Sequence, residues 1–76
     1  MRVRREKKGR GGKTVTAVSG IEGHPDDLDR WLKTLKAHCG TGGSREGDVL
    51  IIQGDHRERI QARLEADGLR VKQAGG

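Results

Sequence analysis

The sequence predicts an α+β fold of order ββαββαβ, a mostly antiparallel sheet with two helices packed on one face. Three observations carry this. A β-branched run follows a glycine-rich turn near the start. One long stretch has its apolar residues at helical spacing. A short, continuous apolar run is followed at once by a second amphipathic stretch. Seventy-six residues allow one domain, expected over 1–76, with 1–20 as a hairpin and 21–76 as the remaining core. Apolar residues make up only 30% of the chain, and Trp31 is its sole aromatic, so the core must be aliphatic. With 36% of residues charged and 13 glycines, disorder is the competing reading. The clustering and periodicity of the apolar positions argue against it.

The first two strands come from Arg2–Lys7 and Thr14–Val18. The second is dense in β-branched residues, which favours strand over helix. Gly9-Arg10-Gly11-Gly12 between them is a turn of high freedom, so Arg2–Gly20 reads as a hairpin with a basic tip. His24-Pro25-Asp26-Asp27 is a helix start: proline suits the first helical position, and two acids complement the positive end of the dipole. Leu28, Trp31, Leu32, Leu35 and Cys39 then recur at helical spacing. Lys36 and His38 fall in the last turn, and Gly40 is placed to cap it. This spacing predicts a helix over Pro25–Cys39 with Trp31 in the core.

Gly40-Thr41-Gly42-Gly43 and then Glu46-Gly47 break the chain. Val49–Ile52 follows as a strand that is central or covered on both faces. Asp55, with Glu58 three residues on, resembles a capping box for a second helix, whose apolar stripe is Ile60 and Leu64. Asp67-Gly68 stops that helix. Leu69 and Val71 alternate with Arg70 and Lys72 in a closing strand.

Charge is distributed unevenly. Residues 1–13 carry seven basic side chains against the single acid Glu6; residues 14–76 carry nine basic against ten acidic. A strong positive field at one end points to an anionic partner, a solubilising basic tail being the plainer alternative. The single cysteine precludes an intramolecular disulfide and suits a reducing cytoplasm. No apolar run approaches the ~20 residues that span a bilayer, so no membrane partner is expected.

Other chemistries find little support. Gly12-Lys13-Thr14 resembles the end of a phosphate-binding loop, but Lys7 stands where the first glycine is required and a strand follows where a helix must open. Gly9–Gly12 and Gly40–Gly43 match the backbone clamp of KH domains without its flanking helices. Cys39 and the three histidines show no metal-ligand spacing. No catalytic residue, metal or cofactor is expected, and the chain reads as a non-enzyme. Nucleic-acid binding survives in a narrowed form. With no aromatic platform, lysine and arginine would contact phosphates and read the shape of a folded RNA.

At this point the motifs resemble a known family. Lys13-Thr14-Val15-Thr16 leading to Ser19-Gly20-Ile21 looks like the first hairpin of SUI-type translation initiation factor 1 proteins. Cys39-Gly40-Thr41-Gly42-Gly43 looks like the segment after that family's first helix. Gln53-Gly54-Asp55-His56-Arg57 resembles its QGD-x-R signature, and Gly68–Lys72 its closing strand. The match runs through the whole chain in order and is nearest the bacterial and archaeal YciH-like branch. The resemblance implies a two-layer α+β sandwich, a monomer, and docking on small-subunit rRNA near the P site, with influence on initiator tRNA and start-codon choice. It implies rRNA contacts at the hairpin loop through Lys8, Arg10 and Lys13, approached along the first strand by Arg5 and Lys7. Lys33 and Lys36 on the first helix would join them, an ordinary solvated helix face being the alternative. The Ser44–Asp48 turn is shorter than in eukaryotic members, where that loop approaches tRNA, and the longer N-terminal tail of family members is expected to be lacking. Ribosome docking is therefore the first expectation. Contacts with other initiation factors, a protein-interaction role, and accessory or stress-time modulation of translation stand beside it.

Overall fold

Strand β1 (Arg2–Lys8) pairs antiparallel with β2 (Lys13–Ser19) along its full length, from Arg2 opposite Ser19 to Lys8 opposite Lys13. The computed structural model describes residues 1–8 and 12–73. Helix α1 (Pro25–Cys39) follows, then β3 (Gly43–Glu46), β4 (Val49–Gln53), α2 (Arg57–Ala66) and β5 (Lys72–Gln73). The sheet order is β3-β4-β2-β1-β5. All pairings are antiparallel except the short one between β1 and β5. The expected α+β order and the two helices on one face are as found.

The pleat sorts the side chains. Val3 on β1, Val18 on β2, and Leu50 and Ile52 on β4 face the helices. They form the core with Leu28, Leu35 and Cys39 of α1 and with Ile60 and Leu64 of α2. At about 25 cal/mol per Å² of buried apolar surface, such aliphatic contacts are the main stabilising contribution in a domain this small. Among the described residues, the opposite sheet face has no helical layer. Val15, Ala17 and Ile51 form a second, smaller cluster there, with Val49 beside it. Buried residues on both faces explain the continuous apolar run of β4, which lies between β3 and β2.

Both ends of α1 are built as the sequence suggests. His24 caps the start: its Nδ1 accepts from the Asp26 amide, and its own amide donates to the Asp27 carboxylate at 3.0 Å. Gly40 closes the helix at φ 65°, ψ 35°, a left-handed conformation that an L side chain resists.

Three expectations change. Asp55 does not cap α2. The helix begins at Arg57 and His56 occupies the cap position with no side-chain bond of its own; the Asp55 carboxylate, one residue earlier, accepts a long bond from the Arg57 amide at 3.5 Å but is held mainly by the Arg57 guanidinium. The closing strand starts at Lys72 rather than Leu69. Leu69 and Val71 pack half-buried against the core while the chain turns back toward Met1, whose carbonyl accepts from the Lys72 amide. Trp31 is half-buried at the margin of the core, beside Arg63 and Asp67 of the α2 end, and not within it.

The joint between β4 and α2 is held from a distance. Thr16, fully buried, donates its hydroxyl proton to the Gly54 carbonyl at 2.7 Å and accepts from the His56 amide at 2.9 Å. One buried hydroxyl thus does what a local capping side chain does elsewhere. Gly54, at φ 91°, allows the sharp change of direction, and a Cβ there would meet the His56 ring at 2.8 Å.

Candidate nucleic-acid interface

Register places three features at one end of the molecule. Lys8 and Lys13 pair at the far end of the hairpin, and β4 finishes there because Gln53 lies opposite Val15. Consequently α2 starts at this end. Helix α1 also terminates there, since the Gln53 amide donates to the Gly42 carbonyl just after the helix. The hairpin end therefore gathers Arg5, Lys7, Lys13, Lys36, Arg57 and Arg59.

The predicted residues divide as follows. Arg5, Lys7 and Lys13 are exposed on the two strands, and Arg5 reaches toward α2. Lys8 ends β1. Arg10 lies outside the described residues. Lys36 is half-buried, its stem against Gly43 at the β3 side of this end. Lys33 sits one turn earlier on α1, exposed and nearer the middle of the helix.

Arg57 and Arg59 join the group, and the sequence reading gave them no role. Arg57 is in the QGD-x-R run, so a signal was present; what was lacking was the position of α2. The Asp55 carboxylate takes the Arg57 guanidinium in a fork, Nε at 2.9 Å and Nη2 at 3.2 Å, with an Arg5 nitrogen at 4.0 Å. Hydrogen bonding from Arg57 holds the Asp55 carboxyl below the usual range, with Arg5 adding to the effect. Asp55 thereby fixes the direction of one arginine and leaves its Nη1 side open. A cavity of about 440 Å³ lies here, lined by residues 55–59 and Gln73. Arg59 also approaches the C-terminal end of α1: burial pushes the Cys39 thiol up, and Arg59 partly offsets that.

The other end of the molecule mixes acids with cations. It holds the start of α1 with Asp26, Asp27 and Asp29, the β3–β4 turn with Asp48, and Asp67 after α2. Three cations there are paired: Arg45 with Asp29 at 2.8 Å, Arg63 with Asp67 at 2.8 Å, and Arg30 with Asp27 at 4.0 Å; Arg2, Arg70 and Lys72, which share this end, have no ion pair among the described residues. At the hairpin end, Lys7, Lys13, Lys36 and Arg59 have no ion pair among the described residues. Cations brought from both strands and both helices to the hairpin end make a surface suited to phosphates.

Among the described residues, no cluster of His, Cys, Asp or Glu could hold a metal ion. Among the described residues, no helix is long and apolar enough to cross a membrane. The glycine tetrad at 40–43 leads from a helix into a strand, which is not the setting of a KH clamp.

Comparison with known proteins agrees with this architecture. The family model described as translation initiation factor SUI1 matches residues 1–70. The uncharacterized protein YciH of Salmonella typhimurium is 42% identical over 76 residues, all of this chain and 70% of that protein. YciH of Escherichia coli K12 is 40% identical over the same shares. A protein translation factor SUI1 homolog from the archaeon Picrophilus torridus is 39% identical over 66 residues, 86% of this chain and 67% of its own length. With the matched segment running from β1 to beyond α2, the chain belongs to the translation initiation factor SUI1 family.

Proposed function

We propose that this chain is an RNA-binding initiation factor that docks its hairpin end on rRNA of the small ribosomal subunit, near the P site, and so influences initiator tRNA and start-codon selection. The observation that carries this is the set of unpaired cations gathered at one end. Lys7 and Lys13 on the strands, Lys36 on α1 and Arg59 on α2 converge there from four separate elements. The SUI1 family match supports the setting, translation initiation. Such a protein works where ribosomes do, in the cytoplasm.

The contacts are electrostatic and indifferent to base identity. Arg57, with Asp55 locking its orientation, offers a planar fork of donors; the lysines offer point charges. Lys8 and Arg10, as the family resemblance implies, and Lys33 on α1 would add further contacts.

Binding to isolated small subunits, measured across a salt series, tests the reading. Each phosphate contact contributes roughly −0.7 to −0.9 to the slope of log K against log[salt]. The double variant Lys7→Ala plus Lys13→Ala should bind more weakly and flatten the slope by about one to two units. Unchanged affinity and slope in that variant would remove the hairpin end as the RNA contact. Salt-insensitive association with another translation factor, and none with subunits, would favour a protein-interaction role.

A further inference from the structure

The open face of the sheet carries a groove of about 530 Å³ that the phosphate contacts leave unused. Its floor is Val15 and Ile51, and its rim includes Lys13, Ser44 and Gln53, with Glu46 at the far end. We infer that this groove seats one unpaired nucleobase of the bound RNA, its phosphate held by Lys13; the inference rests on the proposed RNA-binding role.

The chemistry of the rim favours a base. Gln53 and Ser44 are exposed, and among the described residues neither side chain makes a hydrogen bond. An amide offers a donor and an acceptor side by side, the pattern that pairs with a base edge. The position next to Gln53 is glycine. A Cβ at Gly42 would come within 3.3 Å of the Gln53 Oε1 and crowd it. Beneath the rim the floor is aliphatic and β-branched, a surface on which a planar ring can lie though no aromatic is present. Pockets with an apolar floor and a few convergent polar groups are the usual form of a ligand site.

Lys13 sets the direction of the occupant. Lys13 marks the end nearest the hairpin tip, where the proposed phosphate surface begins. A nucleotide would enter with its backbone at Lys13 and its base pointing along β4. The groove is thus continuous with the proposed interface and adds a contact that does not depend on charge.

Two hairpin RNAs test this, one with a single bulged adenosine and one with an abasic residue at that position. The phosphates are the same in both, so the salt slopes should match. The wild-type protein should bind the bulged-base RNA about tenfold more tightly, the usual size of one good amide–base pair. Gln53→Ala should abolish that preference while keeping the affinity for the abasic RNA. Thermal melting of Gln53→Ala should match wild type, because the side chain is exposed and unbonded. Equal wild-type affinity for the two RNAs, repeated with cytidine, guanosine and uridine at the bulge, would overturn the groove assignment alone. It would also be the result if the groove seats an apolar side chain of a protein partner. Failure to bind any of the RNAs at low salt would overturn the RNA-binding reading itself.

Discussion

Replacing Thr16 with valine tests whether one buried hydroxyl holds the start of α2 in place. The two side chains have nearly the same shape, and the site is 0% exposed, so packing is preserved. What is lost is the pair of bonds to the Gly54 carbonyl and the His56 amide. Each bond contributes about 1 kcal/mol net, and a buried group left without a partner costs about 1–3 kcal/mol. Against this, a methyl in place of a hydroxyl gains about 0.8 kcal/mol of burial. The balance is a loss of about 2 kcal/mol. For a domain this size, that lowers Tm by roughly 8–16 °C. Thr16→Ser keeps the hydroxyl and removes one methyl, so it should cost about 1 kcal/mol. Thermal unfolding followed by Trp31 fluorescence and by far-UV circular dichroism gives the ranking: wild type, then serine, then valine. A valine variant as stable as wild type, or more stable than serine, would refute the claim that Thr16 substitutes for a cap. At a temperature where the valine variant is folded, its subunit affinity should also fall, because Arg57 and Arg59 ride on the loosened end.

Other perturbations follow from the same geometry. Asp55→Ala and Asp55→Ser should lose similarly little, about 0–1 kcal/mol as for an exposed ion pair, with serine giving little rescue because the carboxylate's main partner is the Arg57 guanidinium and its bond to the Arg57 amide is long. The Asp55 carboxyl is held low in the folded state, so its contribution is present above its unfolded pKa and is lost as pH falls through the folded value; the stability difference between wild type and Asp55→Asn should vanish in strong acid. The Cys39 thiol is pushed up by burial, so its share of stability is present below the unfolded pKa and declines as pH rises through the folded value. Its alkylation rate at pH 8 should be far slower in the folded protein than in denaturant. Half-buried Trp31→Ala should cost about 2 kcal/mol, below the 3–5 kcal/mol of a fully buried aromatic, as a denaturation midpoint will show.

Local rules explain which parts of the fold were legible in the sequence. Helix α1 announces itself through Pro25, the spacing of Leu28, Leu35 and Cys39, and Gly40, all of which act within a few residues. The hairpin is legible for the same reason: β-branched Val15, Thr16 and Val18 lie just past a glycine turn. Asp55 misleads because capping is read from near neighbours, and here the hydroxyl that bonds the His56 amide lies 40 residues earlier. The closing strand is displaced because alternation at Leu69–Lys72 marks burial beneath the chain end, while backbone pairing depends on where β1 lies. The hairpin half of the interface was visible as charge density. The Arg57 and Arg59 half was not, since only tertiary packing carries the start of α2 to that end.

The separation of charge along the molecule also decides how the acidic end affects RNA binding. The protein measures 35 Å along its longest axis, while the Debye length at physiological salt is about 8 Å. Carboxylates of the first turn of α1 lie several screening lengths from a phosphate at the hairpin end, so they cannot appreciably repel it. In dilute salt the two ends do act together, turning the positive end toward a polyanion during approach. Raising salt should therefore slow association steeply while the dissociation rate changes less, because the docked contacts are short-ranged. Reversing Asp26 and Asp27 to lysine should leave affinity at physiological salt nearly unchanged but blur the orientation of encounter at low salt. Stopped-flow association rates across a salt series would show this as a change confined to the low-salt limb. An equal effect at every salt concentration would mean that the acidic end touches the RNA directly.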